Sequence, residues 1–311
     1  MNRTLIALAL VSLATAARAE KMDIDKMGVN RHPVEDLSTT NEPPQLGQHL
    51  TREEHGQRAA RAPKHTSSPN MTYHGGKIMT TVVSRAIFWG PKWANASFAG
   101  DKITGLDDWY LGHTGSHYAA ASNEYTGSNG QVQSSGFLHQ GHLVDTSTAS
   151  SNSSSVLAEV CRTITPDPNG NGYYPVYTDV PRGHANYCAW HSYGTCGGVQ
   201  VQFAFFFNLD GDAGCDPQDT SGQHSQGLAA LANVTGHELS EARTDPGSPG
   251  GWYDSQGAEN GDKCAWTFGA PLVSFTNGTQ WKLQGEWSNA AYNGQTGYPN
   301  SSGYKGCLSG L

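Results

Sequence analysis

The sequence predicts an α+β domain, with helices packed on one face of a mixed sheet, rich in loops and stapled by disulfides. Three observations predict it. Apolar periodicity runs strand, helix, strand, helix, several strands and then one long helix, the order expected when helices segregate to one side of a sheet. Six cysteines (Cys161, Cys188, Cys196, Cys215, Cys264 and Cys307) are an even number in a chain that opens like an exported one. Three disulfides are therefore expected, with fifteen pairings open. Gly, Ser, Asn and Thr are abundant after residue 70, which sets long loops between the elements.

Taken in order, residues 1–19 read as a secretory signal peptide. Arg3 precedes an apolar run over 5–14, and Ala17, Arg18 and Ala19 form an A-x-A cleavage site. The run is too short to span a bilayer, so a secreted, extracellular or periplasmic protein is expected. Residues 20–70 carry 15 of the chain's 46 Asp, Glu, Lys and Arg, with no Cys and no Phe, Trp or Tyr. Such a segment cannot bury enough apolar surface to fold alone. It reads as a disordered leader or propeptide, with the basic stretch 58–64 as a processing point. Folded structure is expected over 71–311.

Within that region, 80–89 (TTVVSRAIFW) is β-branched and aromatic, a strand. Residues 100–118 space Ile103, Leu106, Trp109 and Tyr110 along one helical face. Alternation over 134–144 gives a second strand, and Asn152 caps a helix through Val156, Leu157, Val160 and Cys161. Strands follow at 173–180, 187–193 and 199–208 (VQVQFAFFFN), the last the strongest in the chain and expected at the sheet centre. The Asp/Gly run 210–219 has the oxygen density of a calcium loop, but its glycine is one place late for an EF-hand, and a solvated turn pinned by Cys215 is the simpler reading. The long helix comes next and ends at Asp245, Pro246 and Gly247. Beyond it, 281–291 (WKLQGEWSNAA) reads as a strand running into a turn.

The long helix carries the chemistry. In 234–243 (VTGHELSEAR), His237 and Glu241 lie four apart on one face and can grip one metal ion. Glu238, about 100° further round, can hold a water there. This is the logic of the H-E-x-x-H helix with Glu in place of the second His. A solvent-facing His/Glu pair is the plain alternative. Against it, only six Glu occur after residue 70, two of them in this motif, and a third, Glu259, follows eighteen residues after Glu241. That is where a zincin with a glutamate ligand takes its third ligand from a second helix. Asp262 is placed to orient a ligand such as His237. The element order is also that of zincin catalytic domains, so a zincin-like domain is expected. With no His at the metzincin spacing and no Met after Met79, that branch is set aside.

Several pieces together resemble the phosphate-induced, Exordium-like secreted proteins of plants, which have relatives in bacteria and fungi. They are MTYHGG at 71–76, YCAWHS at 187–192, GHELSEARTDP at 236–246, Trp252 with Tyr253, ENGDKC at 259–264 and QWKLQGEWSNAA at 280–291. The most specific is HELSE with the downstream E-x-x-D-x-C. Between that Glu, Asp and Cys this chain has Asn260, Gly261 and Lys263, where family members carry apolar residues. The resemblance implies secretion and a HELxE site, and leaves the reaction open.

The expected function is a secreted zinc metallopeptidase, a hydrolase of peptide or protein substrates. His237, Glu241 and Glu259 would bind Zn²⁺, Glu238 would act as general base on a water at the metal, and His191 would stabilise the oxyanion or add a ligand. Two carboxylate ligands cancel the charge of Zn²⁺, so either donors such as His191 or Tyr253 compensate, or the site is slower, or Mn²⁺ or Ca²⁺ replaces zinc. His113, His117, His139, His142 and His184 carry no spacing argument and read as loop or surface residues. Two other classes stand beside this one: an extracellular or wall-associated interaction protein with a structural metal, and a carbohydrate-active protein using Glu238 and Glu259 as acid and base. After residue 70 the chain holds 19 acidic and 10 basic residues. That balance excludes nucleic acid and anionic membrane as expected partners. A monomer is expected.

Overall fold

The computed structural model describes residues 42–61 and 68–310. The signal peptide and residues 20–41 of the leader lie outside them. The main sheet has six strands: β1 (Leu46–Leu50), β2 (Val82–Trp89), β3 (Phe137–Asp145), β4 (Gly172–Pro181), β5 (Tyr187–Cys196) and β6 (Val199–Asn208). Across the sheet they lie in the order β1-β5-β6-β4-β2-β3. The pairs β6/β4, β4/β2 and β2/β3 are parallel, whereas β5 runs antiparallel to both β6 and β1. The fold is thus α+β with a mixed sheet. β6 is interior, as its unbroken apolar run predicts, and Val201 and Phe203 to Phe206 are fully buried.

Four helices matter to the site: α1 (Arg52–Arg61), α2 (Lys102–His113), α3 (Ser153–Thr163) and α4 (Gln226–Thr244). The Asn152 side chain caps α3 by accepting from Ser155 N, and Ser225 caps α4 by accepting from Leu228 N. Both helices therefore start where a short polar side chain satisfies an orphan N–H. The helices do not all lie on one face. On β5, the face presented by Gly194 and Cys196 meets α3, where Leu157 fills the space above Gly194 and Cys161 is disulfide-bonded to Cys196. The residues of opposite parity, Ala189 and His191, face α4. Apolar periodicity places a face toward the sheet but does not say which side of the sheet receives it.

α4 is locked into this layer by a polar chain. The hydroxyls of Tyr110 on α2 and Tyr177 on β4 are 2.8 Å apart, and Tyr177 Oη lies 2.8 Å from Thr235 Oγ1 on α4. Every residue of α4 from Gly227 to Thr244 is buried. The disulfides are Cys161–Cys196, Cys188–Cys215 and Cys264–Cys307.

Three expectations need correction. The stretch 20–70 is not disordered throughout: Leu46–Leu50 is a sheet strand and Arg52–Arg61 a helix. Leu46 and Leu50 contribute roughly 3–6 kcal/mol by burial, against roughly 5–10 kcal/mol to order five residues. The strand therefore depends on its main-chain pairing with β5, which no local signal reports. The 281–291 region is two short bridges, Gln280–Trp281 and Glu286–Trp287, followed by a helix at Asn289–Asn293. Finally, His113 is buried and stacked on Trp109, and His139 lies between Ser84 and Asp107. The Asp/Gly run 210–219 does form a turn held by ion pairs, Asp210 to Lys102 and Asp212 to Arg182.

Candidate metal centre

Three elements bring the predicted residues together. α4 supplies His237, Glu238 and Glu241; β5 supplies His191; and the loop after Trp252–Tyr253 supplies Glu259, followed by the 3₁₀ turn Asp262–Cys264. Glu259 thus arrives on a loop and not on a second helix. Asn260 and Gly261 sit where a helix would need apolar residues, and the space is needed for another reason. A Cβ on Gly261 would lie 2.8 Å from His237 Nδ1 and 2.9 Å from Glu241 Oε1. Only glycine lets this loop approach α4 so closely.

His237 Nε2 is 3.1 Å from Glu241 Oε1. His191 Nδ1 is 3.5 Å from Glu238 Oε2 and 3.6 Å from Glu241 Oε2, and its Nε2 is 3.7 Å from Glu259 Oε2. Two overlapping groups have ligand atoms within 4.8 Å of one another: His191, Glu241 and Glu259; and His237, Glu238 and Glu241. Glu241 belongs to both. His191 therefore enters the cluster as a full member, whereas His237 and Glu259 fall in different groups. All five residues are at most 1% exposed.

Asp262 does not stand behind His237. Its Oδ1 is 3.8 Å from Nε2, on the cluster side, while its backbone N–H donates to Glu241 Oε1 at 2.9 Å. The group behind His237 is Gln284, whose Nε2 is 3.0 Å from His237 Nδ1 and also donates to Gly261 O at 2.9 Å. Gln284 Oε1 lies 2.9 Å from Nε2 of His49 on β1. With the amide nitrogen as donor, His237 carries its proton on Nε2; ligation through Nε2 needs the amide turned so that its oxygen accepts from Nδ1–H. Sequence reasoning missed Gln284 and His49, since neither has a spacing that marks it. Tyr253, considered as a donor to the site, stacks on His74 instead.

No known protein family, curated protein or solved structure matches this chain. What the centre can do rests on its own chemistry.

Burial holds the Glu238 carboxyl well above the usual carboxylate range; the His49 N–H draws it down, and the charges of Asp262 and Glu259 push it further up. Burial does the same to Glu241, with Asp262, Glu259 and Glu238 adding to it. His237 is held well below its ordinary value, first by burial and then by the neighbouring His49 and His191. Acids pushed up and histidines pushed down mark a cluster whose charged forms lack a counter-charge. Glu238 Oε2 and Glu241 Oε2 are fully buried without a hydrogen-bond partner among the described residues. A divalent cation supplies both the missing charge and the missing partner, so the donor set fits one.

Proposed function

We propose that the chain is a secreted, zinc-dependent metallopeptidase with a zincin-like arrangement of helix and sheet. His237, Glu241 and Glu259 would hold the metal, with His191 as a further ligand or donor; Mn²⁺ or Ca²⁺ would also suit so oxygen-rich a set. When bound, the metal would polarise a peptide carbonyl and make water more acidic. Glu238 takes the proton from the attacking water and delivers it to the leaving amine. His191, 3.5 Å from Glu238 and 3.6 Å from Glu241, adds positive character beside two carboxylates when protonated.

One observation carries the reading: the candidate base already holds a peptide group. The backbone N–H of His49 donates to Glu238 Oε1 at 3.3 Å, so a peptide N–H can stand directly against the proposed base. The HELSE motif and its resemblance to Exordium-like proteins support the metal site, and three disulfides support export to an oxidising compartment.

The test is hydrolysis of unfolded protein substrates at several pH values, with metal content measured on the same samples. It is run before and after limited proteolysis of the N-terminal segment. Chelator-sensitive hydrolysis is expected; metal-replete protein that cleaves nothing in either form defeats the proposal. A second reading is favoured by the membership of His191 in the cluster. Were His191, His237, Glu241 and Glu259 all to ligate, the site would be closed and the metal structural, as in an extracellular interaction protein.

A further inference from the structure

The candidate centre is shut. His191, His237, Glu238, Glu241 and Glu259 are at most 1% exposed, so no polymeric substrate reaches them in this arrangement. The element lying over them is β1. Its register on β5 pairs Leu46 with His191, His49 with Ala189 and Leu50 with Tyr187. Between Leu46 and His49, three steps on β1 face two on β5, a bulge that presses the backbone toward the cluster. Gly47, at the bulge, has φ +44°, and a Cβ there would lie 1.9 Å from Glu241 Oε2 and 2.5 Å from His191 Cε1. Two residues on, His49 N–H reaches Glu238. The main chain of Gly47 and His49 therefore meets the carboxylates, and the His49 ring packs edge-on against His237, 4.4 Å between centroids.

We propose that Leu46–Leu50 is a tethered inhibitory strand seated in a peptide-binding edge. Its displacement opens β5 to an extended polypeptide that pairs there in the same antiparallel sense. The inference rests on the peptidase reading for its substrate, and on geometry alone for the strand. Further observations support it. The pairing with β5 is main-chain bonding, which any extended peptide can reproduce. The fastenings of the segment are reversible: Thr51 N to Asn186 O and Arg52 N to Gly214 O, each at 2.9 Å, and Trp266 Nε1 to Leu50 O, also at 2.9 Å. No cysteine precedes Cys161, so no disulfide binds the strand to the core. The helix that follows it, α1, buries none of its residues. Glycine at the closest point lets the strand sit nearer the carboxylates than a residue with a side chain could. That suits an occupant which blocks.

The experiment uses the full chain with a site-specific protease sequence inserted between Arg61 and Ser68. Hydrogen exchange is followed over 187–196, and binding of a labelled peptide spanning residues 42–51 by anisotropy. The uncut chain should not bind the peptide. After cutting and washing, the core should remain folded, exchange should rise over 187–196 alone, and the added peptide should bind and restore protection. The same peptide carrying Gly47→Leu should bind about tenfold more weakly or worse, since a side chain there is forced to positive φ against a buried carboxylate. In the intact chain, Gly47→Leu should raise exchange over 187–196 while β6 and α4 stay protected. Unfolding of the cut chain, loss of protection in β6 and α4, or peptide binding indifferent to Gly47→Leu would each overturn the inference. None of these readouts needs hydrolysis. A cut chain that binds the peptide but cleaves nothing supports the strand and counts against the peptidase.

Discussion

The backbone N–H of His49 donates to Oε1 of Glu238 at 3.3 Å, joining two residues 189 apart in sequence. Glu238 is thereby distinguished from the residues around it. It faces a peptide group, whereas His237 and Glu241 face each other at 3.1 Å. Turnover and metal retention should therefore separate.

Glu238→Gln should keep the metal content and melting temperature of the wild type while hydrolysis falls by about 10²–10⁴-fold, the usual contribution of a general base. Metal analysis, a thermal melt and a rate on one preparation check all three. An unchanged rate would remove Glu238 from the mechanism.

About one equivalent of metal should bind per chain, because Glu241 is shared by both convergent groups and so defines a single site. Glu241→Ala and His237→Ala should both abolish binding, measured by elemental analysis after dialysis against zinc. Full retention in either variant would rule out the site as drawn.

Gln284 should control metal affinity without touching the metal. It lies between His49 and His237 and also donates to Gly261 O. Gln284→Ala should weaken zinc binding about 10–100-fold, the range for residues that orient a metal-bound histidine. It should also lower stability by about 1–3 kcal/mol by leaving buried partners unsatisfied. Competition with a chelating dye and a denaturant melt measure the two effects.

Stability should fall between about pH 5 and pH 7 through Glu286. Burial pushes its carboxyl up to about 7, although the Ser122 hydrogen bond and the Arg243 charge draw it down. A carboxyl with a raised folded pKa binds its proton more tightly when folded. Its contribution is whole below the unfolded value and is lost as pH rises toward 7, about 3 kcal/mol across the interval. Glu286→Gln should flatten that decline. Melts from pH 4.5 to pH 8 on both proteins would show it, and parallel curves would refute it.

Much of the sheet was legible because its strands are self-reporting. The run VQVQFAFFFN can satisfy its apolar surface only by burial on both faces, and Val199–Asn208 is a strand over that whole range. The α4 motif was legible for a similar reason, since a helix fixes which residues share a face. β1 was not. LGQHL offers two leucines inside a charged stretch, and its order as the edge strand comes from β5, some 140 residues later, together with Gln284. Glu259 lies in between. Its distance from Glu241 marked it as a site residue, but its arrival on a loop depends on Gly261 lying closely against both His237 and Glu241.

The bond between Cys264 and Cys307 has a practical side. It ends the 3₁₀ turn that carries Asp262 just after Glu259, and ties it to the strand Lys305–Leu308. Material made in a reducing cytoplasm would keep α4 but lose the anchor of the loop opposite it. Such a preparation would also lack the two bonds that anchor β5, Cys161–Cys196 and Cys188–Cys215, and would under-report its metal. Periplasmic export or oxidative refolding, a tag kept away from the last residues, and buffers without thiols are the conditions under which the centre should be assayed.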